Sequence, residues 1–190
     1  MLCAILKIPS LEAIEEANCK ADLIEFRLDT LPAERLKELR TASRLPVIFK
    51  GESEVLEHLD LVPDYVDLPY TAHQALEEVK KRLPNTQRIA SLHDFEQTPE
   101  DLSQVYQAPA EIFKVACQAN STLDALRMLL FVKNRKRPTI GISMGEKGII
   151  TRVLAPVVGS LFTYAPIDDS NRSAPGQLLL NELIDIYNFT

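Results

Sequence analysis

Residues 22–50 read DLIEFRLDTLPAERLKELRTASRLPVIFK. The stretch opens on a short run rich in apolar and β-branched residues (22–28). It continues as an amphipathic segment, Pro32–Ala42, with Leu36 and Leu39 on one face, and returns to an apolar run (46–50) at Pro46. Runs of the first kind suit strands buried on both faces, and the segment between them suits a helix that covers such strands. The same unit recurs along the chain. Further runs fall at about 2–7, 65–68, 87–92, 111–116, 138–144 and 160–165, and further helical patterns at Ser10–Cys19, Ala72–Leu83, Leu123–Lys133 and Leu178–Tyr187. Ser10, Thr71 and Thr98-Pro99 stand where helices should begin. Pro46, Pro63, Pro84, Pro109 and Pro138 each stand just before a strand, where proline ends a helix and is tolerated at a strand's first position.

Strict alternation of strand and helix implies parallel pairing through right-handed crossovers, and eight such units closing on themselves make a (β/α)8 barrel, a TIM barrel. A doubly wound open sheet would open on a glycine-rich turn; the first turn here is Lys7-Ile-Pro-Ser10. The 190 residues predict one domain spanning 1–190. That length sits just under the roughly 200 residues usual for this fold. It therefore predicts an unusually short barrel, with trimmed loops, no N-terminal extension and spare length only after the eighth strand (166–172).

Lys and Arg number 21 against 27 Asp and Glu, a net charge of −6. This balance argues against nucleic acid or an anionic membrane as partner. No apolar stretch approaches the roughly 18 residues of a membrane span, and the N-terminus MLCAILKIPS lacks the basic start of a signal peptide. Cys3, Cys19 and Cys117, far apart and without a C-x-x-C, suit the reducing cytoplasm better than a disulfide framework or a zinc site.

Chemistry in such a barrel sits at the C-terminal ends of the strands. There the sequence places Glu25, Arg27 and Asp29 on one face of strand two, Lys50 on strand three, Asp67 on strand four, His93 on strand five and Lys114 on strand six. A lysine set between Ile112, Phe113, Val115 and Ala116 is rarely buried unless paired or used. Burial and neighbouring cations are expected to lower its pKa and free the amine to attack a carbonyl. His93, one strand away, suits proton transfer. Arg152 follows Ser143-Met-Gly-Glu-Lys-Gly148 after strand seven, and Ser173-Ala-Pro-Gly-Gln177 follows strand eight. Arg27, Lys50 and Arg152, with Arg172 as a further candidate, would form a cationic mouth for an anionic ligand. His58 and His73 fall on outer segments, and no spacing marks a metal or nucleotide site. A structural ion-pair cluster, a lysine reaching to water and a structural histidine remain open as plainer readings.

In its order of segments the chain resembles the type I 3-dehydroquinate dehydratases of the shikimate pathway. The resemblance rests on Asp22-Leu-Ile-Glu25-Phe-Arg27-Leu-Asp29, Ser91-Leu-His93-Asp94-Phe95, Phe113-Lys114-Val-Ala116 and Ser143-Met144-Gly145-x-x-Gly148-x-x-x-Arg152. It continues through Gly159-Ser160-x-x-Thr163-Tyr164-Ala165 and Ser173-Ala-Pro-Gly-Gln177. It implies dehydration of 3-dehydroquinate to 3-dehydroshikimate without metal or cofactor, through a Schiff base on Lys114 with His93 as general acid and base. Arg152 would bind the substrate carboxylate, Glu25 and Arg27 the ring hydroxyls, and Ser173 and Gln177 would belong to a covering loop. Met144 and Tyr164 would wall the pocket. Lys50 stands where the family usually has arginine, keeping the charge without the fork. Relatives are often homodimers, and in some lineages the dehydratase is fused ahead of a shikimate dehydrogenase. Two rivals stay in view: a class I aldolase-like barrel using the same lysine on a phosphorylated sugar, and a non-catalytic barrel that binds a small acid.

Overall fold

The structure, a computed structural model, describes residues 1–174 and 176–188. Eight parallel strands follow one another around a barrel: β1 Leu2–Leu6, β2 Leu23–Arg27, β3 Val47–Lys50, β4 Tyr65–Pro69, β5 Gln87–Asp94, β6 Ile112–Gln118, β7 Thr139–Met144 and β8 Thr163–Pro166. Ladder pairing runs unbroken from β7 through β1 to β8. The seam between β7 and β8 closes more loosely, through Leu161 N–H to the Thr139 carbonyl at 3.1 Å and Gly141 N–H to Ser160 Oγ at 3.4 Å.

Alternation along each strand divides the core in two. Phe26, Phe49, Val66, Leu68, Phe113 and Val115 pack outward under the helices. Cys3, Ile5, Leu23, Ile48, Ile89, Ile112, Ile140 and Phe162 fill the barrel itself. One period further along the same inward faces come Glu25, Lys50, Asp67, Ser91 and Lys114, so an apolar floor carries a polar layer above it.

Among the described residues six α-helices cover the sheet: α1 Leu11–Lys20, α2 Ala33–Ala42, α3 His73–Arg82, α4 Thr122–Lys133, α5 Ile149–Val158 and α6 Leu180–Asn188. None is long and apolar enough to cross a membrane. Ser10 caps α1, its side chain accepting from Ala13 N–H. Two of the expected starts are corrected. Ala72, not Thr71, precedes α3 and makes no side-chain cap, and Thr98 donates to the Gln118 carbonyl instead of opening a helix. Ser121 and Asp124 form a reciprocal capping box at α4 that the sequence reading passed over.

The crossovers β3–β4 and β5–β6 are 3-10 segments, Ser53–Leu61 and Leu102–Gln107, rather than α-helices. The reason is reach. A 3-10 turn rises about 2.0 Å per residue against about 1.5 Å in an α-helix, so a shortened crossover still spans the strand. The longer of the two ends on Val62 at φ 48°, a left-handed conformation unfavourable for a β-branched residue.

Away from the cavity, Arg88 at the start of β5 grips Glu111 just before β6 through Nε at 3.0 Å and Nη2 at 2.8 Å. Burial alone would raise the Glu111 pKa, but these bonds, with Lys80 nearby, pull it down to about 2. A depressed carboxylate stabilises the fold above its unfolded pKa and stops doing so as pH falls through its folded value. Glu111→Gln is therefore expected to cost about 2 kcal/mol at neutral pH, allowing for partial exposure. Urea unfolding should show the gap closing as pH falls from about 5 toward 2; a gap independent of pH would contradict it.

Candidate active site

Alternation along β6 turns Phe113 and Val115 to the helices and Lys114 to the barrel axis, where it is 4% exposed. Lys114 Nζ donates to Asp67 Oδ2 at 2.8 Å and to Glu25 Oε2 at 3.4 Å, and it lies 4.0 Å from the centre of the Tyr164 ring. The other oxygen of Asp67 accepts from Lys50 Nζ at 3.2 Å. One fully buried carboxylate thus bridges two lysines.

This pairing overturns the expected lowering of the Lys114 pKa. Burial does oppose its charge, but Asp67 and Glu25 outweigh burial and the net shift is upward. The lysine whose pKa is lowered is Lys50, through burial and the repulsion of Lys114, which its share of Asp67 only partly offsets. Asp67 itself is held below the ordinary carboxylate range, the two lysines overcoming burial. Its place on strand four was legible; its role as the hub of the cluster was not.

His93, at the end of β5, is half-buried and stacks beside Phe95 with ring centroids 6.1 Å apart. Burial first, then Lys50 and Lys114, push its pKa well below 6.5, so the imidazole is neutral near pH 7. Its ring makes no hydrogen bond among the described residues. Tyr164, fully buried, is held well above the phenol range by burial and by the Glu25 carboxylate.

Arg152 reaches the site from α5. Gly148 lets this helix start close to β7, since a Cβ there would stand 2.4 Å from the Ser143 carbonyl oxygen. Thr151 Oγ1 then accepts from Ser143 N–H at 2.8 Å and fixes the turn. The arginine so delivered is 2% exposed, its Nε has no partner among the described residues, and burial alone lowers its pKa to about 10. A buried guanidinium without a counter-charge is costly, and the cost falls when an anion arrives.

Beyond β8 the Gln177 amide oxygen accepts from the N–H groups of Ser173 (2.6 Å) and Ala174 (3.1 Å), and its nitrogen donates to Ser173 Oγ at 3.1 Å. Ser173 and Gln177, tied together in this way, both line the cavity, and Pro175 between them lies outside the described residues. Arg172 is taken up by Asp169 at 2.7 Å and by the Gln177 carbonyl, so it is not a free cation of the mouth. Asp29 is likewise committed, to Arg27 at 3.0 and 2.8 Å.

A cavity of about 100 Å³ is lined by Glu25, Arg27, Lys50, His93, Lys114, Met144, Arg152, Tyr164, Ser173 and Gln177 together with Ile5, Phe95, Ala116 and Ile142. The ten residues carried over through the resemblance all line it, whereas Asp29, Asp67 and Arg172 do not. The cavity adjoins a wider vestibule of about 480 Å³, sharing Arg27, Lys50, His93 and Phe95 with it. His58 and His73 lie outside both. Gly145 and Gly148 are packed against Gln118 and Ser143 and form no open phosphate cradle. Among the described residues, no group of three or more His, Cys, Asp or Glu is arranged to hold a metal ion. In the cavity lining four cations (Arg27, Lys50, Lys114, Arg152) face one carboxylate, Glu25, with Asp67 behind the two lysines and Asp29 on Arg27; Glu52 and Glu54 line only the vestibule.

Eight parallel strands with charged side chains converging at their C-terminal ends define a (β/α)8-barrel enzyme. More particularly, the chain belongs to the type I 3-dehydroquinase family, a family of lyases, whose model matches residues 3–190. It is 32% identical to a bifunctional 3-dehydroquinate dehydratase/shikimate dehydrogenase of Arabidopsis thaliana, a match over 100% of this chain and 37% of that protein. Identity is also 32% to a 3-dehydroquinate dehydratase of Dehalococcoides mccartyi, over 97% of this chain and 93% of the relative. Among solved structures, the 3-dehydroquinate dehydratase from Aquifex aeolicus VF5 superposes with a TM-score of 0.82 at 27% identity, covering 100% and 98% of the two chains.

Proposed function

We propose that this chain dehydrates 3-dehydroquinate to 3-dehydroshikimate, with Lys114 forming a Schiff base to the substrate ketone and His93 moving the protons. The observation that carries the reading is Arg152, a buried and partnerless guanidinium in the same cavity as a buried lysine. A substrate that is both a carboxylate and a ketone answers both groups.

The steps follow from the charges present. Lys114 gives up a proton to His93, and its amine adds to the ketone carbon to form a carbinolamine. Return of the proton expels the former carbonyl oxygen as water and leaves an iminium. That cation draws electrons from the adjacent C–H bond, so the neutral His93 can take the proton and leave an enamine. The enamine expels the neighbouring hydroxyl, which departs with the proton of His93 as water. A second water hydrolyses the conjugated iminium and frees Lys114. The net reaction is loss of one water. Glu25 and Arg27 would orient the ring hydroxyls, Lys50 would add charge beside them, and Met144 and Tyr164 would wall the ring. Ser173 and Gln177 would keep solvent from the iminium. A homodimer, if formed, would cover the exposed Leu123, Leu126 and Leu130 of α4 beside Ile150 and Val157 of α5.

Growth of the conjugated-enone absorbance on mixing the protein with 3-dehydroquinate tests the reaction; no such signal at any pH from 6 to about 9, the range around a tuned catalytic base, would sink it. Arg152→Met should raise KM, and kcat/KM should fall by about 10²-fold or more, because a bidentate charge-assisted pair is lost. Arg152→Lys should recover only part of the loss. Unchanged KM in Arg152→Met would place the carboxylate elsewhere.

A further inference from the structure

We propose that Asp67 is a positioning residue of this site: it aims Lys114 into the cavity and keeps it an ammonium until the carbonyl arrives, while its other oxygen holds Lys50 alongside. The proposal rests on the Schiff-base reading above and deepens it. Asp67 is 0% exposed and lines neither the cavity nor the vestibule. It acts through the two lysines, at 2.8 Å to Lys114 and 3.2 Å to Lys50.

Glu25 is differently placed. It stands 3.4 Å from Lys114 and does line the cavity, so a ligand can draw it away. Asp67, on β4 beneath the rim, is fully buried and shared between Lys114 and Lys50. The ionisable groups facing Lys114 are Cys3 from β1, Glu25 from β2, Lys50 from β3, Asp67 from β4, His93 from β5 and Tyr164 from β8. The two carboxylates favour its cationic form. Lys50 opposes it.

A charge-conserving reaction explains the use of a fixed anion. An ammonium and a ketone give an iminium and water, so the nitrogen carries one positive charge before and after. A carboxylate set beside it is paired in both states, so the charge on this nitrogen is matched before and after the step. Attack itself needs the neutral amine for a moment. The stronger the anion's hold, the higher the pH at which the empty site is half neutral. Lys50, sharing the same carboxylate, weakens that hold.

The experiment compares wild type, Asp67→Asn, Asp67→Glu and Lys50→Met by the second-order rate of cyanoborohydride-trapped adduct on Lys114, with 3-dehydroquinate, from neutral to alkaline pH. The midpoint of the rising limb is expected to move down by about one pH unit or more in Asp67→Asn, because one favourable charge is gone. It is expected to move up in Lys50→Met, because a repelling charge is gone, and to stay near wild type in Asp67→Glu. Turnover in Asp67→Asn should still fall by about tenfold or more, since the amine is neutral but no longer aimed. A merely structural aspartate would not give opposite shifts in two variants. An unmoved midpoint in Asp67→Asn, or shifts in the same direction in Asp67→Asn and Lys50→Met, overturns the proposal. Should Asp67→Asn fail to fold, Lys50→Met decides alone: an unmoved or lowered midpoint overturns it. Absence of any adduct in wild type overturns the Schiff-base reading itself, a result distinct from these.

Discussion

Lys114→Ala is expected to lose the covalent adduct altogether and to cut turnover by at least about 10⁴-fold, about 5.5 kcal/mol of barrier. Without the amine there is no iminium, and the C–H next to a plain ketone is far less acidic than the one next to an iminium. Borohydride reduction in the presence of 3-dehydroquinate, followed by peptide mass mapping, should place the adduct on Lys114 in wild type and nowhere in the variant. The two-lysine geometry makes the mapping decisive. Lys50 shares the Asp67 carboxylate and lines the same cavity, so it is the natural competitor. An adduct found on Lys50 in wild type would reverse the assignment, and turnover without any trapped adduct would end it. Removing Lys114 also strips Asp67 and Glu25 of a shared cation. A buried pair broken in this way costs roughly 3–5 kcal/mol, so a lower midpoint of thermal unfolding should accompany the loss of activity.

His93→Ala separates the steps that Lys114→Ala removes together. The adduct should still form, more slowly, while turnover falls by roughly 10²–10⁴-fold, the range for loss of a placed general base. The electrostatics predict the acid limb of the wild-type profile as well. Burial, Lys50 and Lys114 all disfavour imidazolium, so kcat, which reports the complex in which the iminium has already formed, should hold up at pH values below the ordinary histidine pKa of 6.5 before it declines. The same depression has a sign for stability. A histidine kept neutral in the fold costs nothing above its unfolded pKa and weakens the fold as pH drops below it. Near wild-type kcat in His93→Ala would remove the histidine from the mechanism. An acid limb centred at or above 6.5 would mean that the neighbouring cations do not act on it.

Much of this site could be read from residue order because the fold itself is periodic. In a barrel of parallel strands, every second residue faces the axis and every strand ends on the same rim. Glu25 and Arg27 on strand two, His93 and Lys114 were therefore bound to converge once the alternation was recognised. Arg152 was harder, since it comes from a helix; the glycines at 145 and 148 were the signal that the helix begins close to β7. The two 3-10 crossovers escaped the reading. Leucine and valine spacing in Ser53–Leu61 suits a helix, and the tighter winding is imposed by the distance the segment must cover.

Fold class and the inward-facing polar residues at the strand ends were thus legible in the sequence, because backbone alternation and proline punctuation are local properties; Met144, Tyr164, Ser173 and Gln177 came from the family resemblance instead. Asp67 as hub, Lys114 as the lysine with raised pKa and Lys50 as the one with lowered pKa were decided only by the tertiary structure. Lys114 and Asp67 are 47 positions apart, and Lys114 and Glu25 are 89 apart. Charge states depend on distances of a few ångströms and on burial, and neither exists until the barrel closes.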